Sequence, residues 1–417
     1  MKNEMITNEA IEFFLKYEGN ENMFNSDGSI NPNYNSFKVT GTLAKIYEDW
    51  FPILYEERKL DIDYYRPNAP KEIEKVIDCH NKNLGYSVYI CPKCEDAVFV
   101  GHTCKSRLCS SCGYKYKNMR VNSIMETAYN CNHRQMVFTI PKEYRKYFFF
   151  PFEERINILF QAVNETLKSI ANEYYKYNKK TKKMKKYIRR NKLTPGFFAF
   201  LHTFGRDLKW NPHIHVLIAE IYLGDDNVAY KNEYFNYDAL SKRFQKILLD
   251  LLEKSIGNEF TEEKRKSYQN HKNGFYVYAE KKKFKSLKEG VEYITRYCGR
   301  APISENRIVN YDGTNVTFSY NAHEDDSYHE ITVPATEFIL MILRHLIPEQ
   351  FKIIRYYGFY RKKHKMHNKM IMLIDKAKHK IRNEFLKYEL SILKSFNRSP
   401  YDCPKCGTKL EFAFEVT

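Results

Sequence analysis

The 417-residue sequence has no run of about 18 uncharged apolar residues, so no membrane-spanning helix is expected. Its opening stretch, MKNEMITNEAIEFF, lacks the charged, apolar and small-residue succession of a signal peptide, and a soluble cytoplasmic protein is the expectation. There is no glycine-rich phosphate loop of the Walker type, which argues against chemistry driven by a nucleoside triphosphate. No basic amphipathic helix stands out, so a membrane surface is not the expected partner.

What the chain has in excess is positive charge and aromatic rings. Its formal net charge is +17, and it carries 34 Tyr and 29 Phe. The basic residues cluster at 179–190 (KKTKKMKKYIRR), 281–285 (KKKFK) and 361–365 (RKKHK). Any one run could be a solvated face. Three runs interleaved with aromatics suit a polyanion that also offers flat rings, which means nucleic acid and in particular single-stranded DNA. A nucleoid-associated location goes with that partner.

The stretch WNPHIHVLIAE, residues 210–220, organises the rest. Pro212 excludes a helix interior, and the short β-branched run that follows reads as a buried strand. Side chains alternate along a strand, so His213 and His215 share one face while Ile214, Val216 and Ile218 pack on the other. Such a pair can be no more than two hydrogen-bonded histidines, or it can be half of a metal site. The upstream run FFAFLHTF, residues 197–204, reads as a second strand, joined to the first by a short polar loop. An antiparallel register pairing Phe204 with Asn211 sets His202 opposite His213 and brings three imidazoles to one face.

Six of the ten cysteines fall between Cys79 and Cys112. Cys91-Pro-Lys-Cys94 and Cys109-Ser-Ser-Cys112 are C-x2-C knuckles fourteen residues apart, a spacing that predicts one zinc ion held by Cys91, Cys94, Cys109 and Cys112. Cys79 and Cys104 either serve a second zinc, with His80 or His102 as helpers, or are buried core thiols. Lys105, Arg107, Lys115 and Lys117 in this module are placed to contact phosphate. Cys403-Pro-Lys-Cys406 is half of a further zinc site, which His364 and His367 could complete.

Helices are expected at 9–17 and at 42–58, the latter with Leu43, Ile46, Tyr47, Trp50 and Leu54 on one stripe. Further helices are expected at 117–129, 152–175 and 238–255, with strands at 135–140 and 274–280, and the lysine-rich stretch 179–190 as an exposed loop. Residues 286–300, SLKEGVEYITRYCGR, open with a capping box, Ser286 and Glu289, and close at Gly299. In this helix Leu287, Val291, Ile294 and Cys298 face the core. Tyr293 and Tyr297 lie one turn apart on a neighbouring face, either as a surface pair or as two phenols at the edge of a site. Residues 307–320, with Asp312-Gly313 at the turn, read as a hairpin.

Knuckles, then HTFGRDLKWNPHIHVLI, then YITRYCGRAPIS, a hairpin and RHLIPEQFKIIRYYGFY together resemble the rolling-circle transposases of the HUH class. More narrowly, the chain is similar to the two-tyrosine insertion-sequence type numbered ninety-one. The resemblance implies an α+β fold with a central antiparallel sheet, flanking helices and a small N-terminal zinc-binding module. The division expected is a helical region at 1–78, the zinc module at 79–116, the nuclease domain at 117–360 and a basic helical tail with a knuckle at 361–417.

The resemblance also implies roles. His213 and His215 match the family's metal-binding pair, and His202 sits where relaxases of the wider class carry a third ligand for Mg²⁺ or Mn²⁺. Tyr293 and Tyr297 match the first and second nucleophilic tyrosines. The zinc-domain cysteines match at Cys79, Cys91, Cys94, Cys104, Cys109 and Cys112, although Ser87 stands near where the family carries a histidine. Lys281, Lys282, Lys283, Arg296 and Arg300 are the DNA contacts expected around the tyrosines. The activity implied is cutting and rejoining of single-stranded DNA through a 5′-phosphotyrosine. The rival readings are a replication initiator or relaxase, a zinc-dependent DNA-binding regulator without catalysis, and a hydrolase that releases a 5′-phosphate.

Overall fold

The structure is a computed structural model that describes residues 41–129, 131–190, 192–226, 228–232, 234–278, 301–322, 325–361 and 399–417. The helices expected at 9–17 and 286–300 lie outside these residues. So do Tyr293, Tyr297, Lys281, Lys282, Lys283, Arg296, Arg300, His364 and His367.

In chain order, α1 (Thr42–Tyr65) and α2 (Ala69–Ile77) precede the hairpin of β1 (Tyr86–Ile90) and β2 (Ala97–Gly101). Then come α3 (Ser110–Thr127), β3 (His133–Thr139), α4 (Phe152–Ser169) and a second hairpin of β4 (Glu173–Asn178) and β5 (Lys183–Ile188). The long strands β6 (Leu193–Phe204) and β7 (Trp210–Gly224) lead into β8 (Ala229–Lys231), α5 (Tyr237–Ile256), α6 (Thr261–Asn270) and β9 (Val277–Tyr278). Beyond residue 301 follow β10 (Ile308–Tyr311), β11 (Asn315–Asn321), β12 (Tyr328–Pro334), α7 (Ala335–Leu343), β13 (Ile354–Tyr357) and β14 (Glu411–Val416). The fold is α+β with antiparallel sheets, as the sequence led us to expect.

The chain packs as two units. One comprises described residues 41–119, 301–346 and 399–417. Its α1 buries Leu43, Ile46, Tyr47, Phe51 and Leu54, close to the expected stripe. Trp50 turns its indole N–H onto the Gly313 carbonyl at 2.9 Å instead of joining the core. The helix runs on to Tyr65, past the expected end, and the expected end coincides with a break in its dihedrals at Arg58. The buried Arg66 guanidinium donates to the Leu343 and Arg344 carbonyls at 3.2 and 2.8 Å, and so satisfies groups that the end of α7 leaves orphaned.

These contacts group 301–346 with 41–119, whereas the sequence reading had placed that stretch with the histidine strands. Linear order cannot reveal such pairing, because the partners are more than 250 residues apart. The expected hairpin is present as β10 and β11, with Gly313 in the left-handed region at φ 94° and the Asp312 carboxylate accepting from the Thr314 and Asn315 amides.

The other unit comprises described residues 120–278 and 347–361. Its sheet runs β13-β6-β7-β3-β9, with β8 beside β7, and every pairing is antiparallel. Ile214, Val216 and Ile218 on β7, with Phe138 and Met136 on β3, are fully buried. They share a core with Ile156, Leu159, Phe160 and Val163 of α4 and with Leu240, Phe244 and Leu248 of α5. Phe138 meets Phe244 edge-on at 5.1 Å, and Arg355 lies 3.9 Å over the Phe160 ring, which fixes the helices on this face. The histidines are on the other face.

The lysine-rich stretch is a two-stranded ribbon, β4 paired with β5, rather than the loop expected. Cross-strand pairing sets Tyr174 opposite Tyr187 and Lys176 opposite Lys185, and the Glu173 carboxylate anchors the base of the ribbon through Lys186 and Arg243, each at 2.6 Å.

Candidate metal centres

On the sheet, β6 and β7 pair so that His202 stands directly opposite His213 and Phe200 opposite His215. The register slips beyond this point, and Phe204 pairs with Trp210 rather than with Asn211. Pro212 lies inside the slip. It has no N–H to give to the ladder, so the extra residue of a bulge is best accommodated there.

Three imidazoles therefore occupy one face at the end of the hairpin. The His202 ring centroid is 4.2 Å from that of His215 and 5.2 Å from that of His213. Ligand nitrogens of all three lie within 4.8 Å of one another. His213 Nδ1 is 2.7 Å from the Asn211 carbonyl, which can only accept, so Nδ1 carries the proton and Nε2 presents its lone pair. That Nε2 is 3.1 Å from Nε2 of His215. Burial, and after it the neighbouring His213, hold His215 well below the ordinary imidazole pKa, so its neutral, ligating form prevails.

Two ring nitrogens at this distance are stabilised by a shared proton or by a cation. Three nitrogen donors fit a divalent transition ion such as Mn²⁺ more readily than Mg²⁺, which prefers oxygen. On the far side of His215, the Gln135 side-chain amide lies 3.3 Å from Nδ1.

The thiols form two groups, and neither is the one predicted. Cys79, Cys104, Cys109 and Cys112 converge, as do Cys91, Cys94, Cys403 and Cys406. In the first group the sulfurs of Cys79 and Cys112 are 3.8 Å apart, those of Cys109 and Cys79 3.7 Å, and those of Cys104 and Cys112 3.5 Å. A tetrahedron of Zn–S bonds of about 2.3 Å has edges of about 3.8 Å, whereas a disulfide closes to about 2.05 Å. Backbone amides of Cys104 and Ser106 point at the sulfurs of Cys79 and Cys104 at 3.5 and 3.4 Å, as suits thiolate ligands.

The knuckles at 91–94 and 109–112 thus belong to different groups. Spacing identified each knuckle, but the choice of partner is made by the sheet that carries Cys91 and Cys94. His80 and His102 are not among the converging ligands: His80 Nδ1 faces the Gly101 carbonyl at 3.3 Å, and His102 Nε2 lies 3.0 Å from Glu415. With four thiols available in each group, the departure at Ser87 removes no ligand.

Comparison with known proteins bears on the whole chain. A family model described as "Transposase zinc-binding domain" matches residues 50–140, and one described as "Putative transposase" matches residues 196–368. "Transposase for insertion sequence element IS801" from Pseudomonas savastanoi pv. phaseolicola is 24% identical over 390 residues, covering 88% of this chain and 87% of the relative. The chain belongs with the insertion-sequence transposases of the IS91 and IS801 type. "Putative transposase y4qJ" from Sinorhizobium fredii (strain NBRC 101917 / NGR234) is 28% identical over 304 residues, 67% of this chain and 71% of that protein. No solved structure matches.

As a transposase the protein acts on DNA, and among the described residues no helix is long and apolar enough to cross a membrane. The zinc-domain match covers the first thiol group of this transposase and Cys91 and Cys94 of the second, but not Cys403 and Cys406. Of the basic residues singled out earlier, Lys105 is exposed, while Arg107, Lys115 and Lys117 are half-buried. The basic run at 179–190, expected as a loop, is displayed on this transposase as part of a paired ribbon. On the β4–β5 ribbon, Tyr174 and Tyr187 stack at 5.3 Å, Arg189 lies 4.6 Å over Tyr174, and Lys185 lies 5.7 Å over Tyr187. Tyr174, Tyr175, Tyr177 and Tyr187, which flank the lysine run, were the signal that would have found the ribbon.

Proposed function

We propose that this transposase cuts and rejoins single-stranded DNA through a 5′-phosphotyrosine in rolling-circle transposition, with His202, His213 and His215 holding a catalytic Mn²⁺ or Mg²⁺. The observation that carries the proposal is the convergence of three imidazoles on one sheet face, two of them with ring nitrogens 3.1 Å apart, in a chain of this family. An ion bound there would polarise a non-bridging phosphate oxygen and offset the charge that develops in the transition state. The backbone carbonyl of Asn211 favours the His213 tautomer with its proton on Nδ1, which turns the Nε2 lone pair toward His215, and burial holds the His215 pKa well below the ordinary imidazole value.

Tyr293 is the nucleophile of this reading and Tyr297 the second tyrosine. Their phenolic oxygens, with a normal pKa of about 10, act near neutral pH only when the environment favours the phenolate. Attack forms the Tyr293 O–P bond and breaks the P–O3′ bond, and the departing 3′ oxygen takes up a proton to become a hydroxyl. The phosphodiester energy is retained in the new ester, so rejoining needs no triphosphate. Arg296, Arg300 and Lys281–Lys283 supply phosphate contacts next to the tyrosines, as do Lys105 and Arg107 in the zinc module. The β4–β5 ribbon, with cations over stacked rings, supports a strand of unpaired bases as ligand.

The test is incubation of the full-length protein with a labelled single-stranded oligonucleotide and Mn²⁺, followed by denaturing electrophoresis and mass spectrometry of the adduct peptide. A covalent adduct on Tyr293 that Tyr293→Phe abolishes is expected. Adduct formation by Tyr293→Phe at the native rate would overturn the nucleophile assignment. Cleavage to a free 5′-phosphate without any adduct would favour a hydrolase, and binding without cleavage a regulator.

A further inference from the structure

Cys403 and Cys406 lie outside the zinc-domain match, yet they precede a strand, β14, of the same sheet whose β1–β2 turn carries Cys91 and Cys94. β14 pairs with β1, Tyr86 opposite Val416 and Ile90 opposite Glu411, so β1 is the middle strand of a three-stranded sheet whose third strand comes from beyond residue 399. Ala413, Phe414 and Val416 pack against Tyr86, Val88, Ile90, Ala97 and Phe99. Cys91, Cys403 and Leu410 form a second buried cluster beside them.

The two Cys-Pro-Lys-Cys segments are the same structure made twice. In the first, the Cys91 amide donates to the Asp96 carbonyl at 2.9 Å and the Glu95 amide to the Cys91 carbonyl at 2.9 Å. In the second, the Cys403 amide donates to the Thr408 carbonyl at 2.8 Å and the Gly407 amide to the Cys403 carbonyl at 2.9 Å. The residue after each second cysteine sits in the left-handed region, Glu95 at φ 54° and Gly407 at φ 72°. A turn of this shape points two thiols to one side. Glu95 takes up a backbone conformation that ordinary residues avoid, which is worthwhile only if the thiols must converge. Lys405 reaches across to the Asp96 carboxylate at 2.7 Å and ties the knuckles together.

The sulfurs of Cys91 and Cys406 are 3.5 Å apart, the Cys94 amide points at Cys91 sulfur at 3.3 Å, and ligand atoms of all four cysteines lie within 4.8 Å of one another. That spread fits four thiolates on one tetrahedral ion and is too small for an iron–sulfur cluster, whose ligands stand off several metal atoms.

We infer that Cys91, Cys94, Cys403 and Cys406 form a second structural zinc site, so that the module holds two zinc ions and is completed only when segment 399–417 docks on β1. The first site, Cys79 with Cys104, Cys109 and Cys112, closes within a short stretch of chain. The second joins knuckles more than 300 residues apart, and its ion reports that both segments have folded together.

The experiment uses the full chain. Zinc and iron are quantified per polypeptide by mass spectrometry of the elements, and cysteines are mapped by alkylation while zinc is withdrawn with a chelator. Two zinc ions per chain are expected, with Cys91, Cys94, Cys403 and Cys406 becoming reactive together and separately from Cys79, Cys104, Cys109 and Cys112. Cys403→Ser with Cys406→Ser should lower the content from two zinc to one. One zinc per chain in metal-replete protein, iron in its place, or Cys403 and Cys406 freely alkylated while Cys91 and Cys94 stay protected would each overturn the assignment. The alkylation map of the unaltered protein decides the matter even if the double variant fails to fold.

Discussion

The contact between Gln135 and His215 offers a sharp test of how the histidine site is held. Gln135 lies on β3, buried to 7% exposure, two residues before Val137, which pairs with His215. Its amide nitrogen is 3.3 Å from His215 Nδ1, while its amide oxygen is buried without a partner. Turning the amide over exchanges these atoms: the oxygen then accepts the Nδ1 proton, and Nε2 of His215 is left with the lone pair that a metal needs. Gln135 is in this argument a positioning residue that selects the tautomer of His215.

Gln135→Leu keeps the volume and removes the selection. Losing an outer partner of a metal-bound histidine typically weakens metal binding about 10- to 100-fold, which is roughly 1.4–2.7 kcal/mol. Gln135→Glu places a carboxylate on the same proton and should keep or tighten binding. Mn²⁺ titration followed by electron paramagnetic resonance reads the affinity, and thermal unfolding reads the fold. Weaker Mn²⁺ binding in the leucine variant at unchanged Tm, with recovery in the glutamate variant, is expected. Unchanged affinity in Gln135→Leu would refute the reasoning, and so would a loss equal in both variants.

Replacing Lys183, Lys185 and Arg189 of the ribbon by Ala together should weaken DNA binding about equally for unrelated sequences and lower the slope of log affinity against log salt by roughly 2–3, since each lost phosphate contact removes about 0.7–0.9. An unchanged slope would take the ribbon off the DNA path. His133 donates from Nδ1 to the Cys131 carbonyl at 2.8 Å and accepts from the Tyr360 hydroxyl at 2.7 Å, and burial holds its pKa down to about 4. At pH values above 6.5 both folded and unfolded forms are neutral and nothing is lost. As pH falls from about 6.5 to 4 the unfolded chain binds a proton that the folded chain refuses, so stability drops by on the order of 2 kcal/mol after allowance for partial exposure. Urea unfolding at pH 7 and pH 5 should show a smaller loss for His133→Gln than for the native protein, and equal losses would remove His133 from the account. Phe138→Ala should destabilise the histidine unit by about 3–5 kcal/mol, because Phe138 is fully buried against Phe244 and the cavity cannot fill; a change below 1 kcal/mol in the same unfolding assay would contradict the packing described.

The sequence by itself determined whatever depends on neighbours in the chain. Alternation set His213 and His215 on one face, the short link between β6 and β7 brought His202 opposite His213, and helical spacing marked the buried stripe of α1. Each C-x2-C pair was visible for the same reason, since a knuckle is a local turn. Tertiary structure alone decided which knuckle's thiols converge with which. The thiols of Cys91 and Cys94 meet those of Cys403 and Cys406 because β14 pairs with β1, through hydrogen bonds and apolar side chains distributed across hundreds of residues. It also decided that residues 301–346 lie against the N-terminal helices, through the Arg66 guanidinium and the Trp50 indole. The β4–β5 ribbon falls between these cases: its tyrosines and lysines were present in the sequence, but a run of lysines reads as a solvated loop until cross-strand pairing sets Tyr174 against Tyr187.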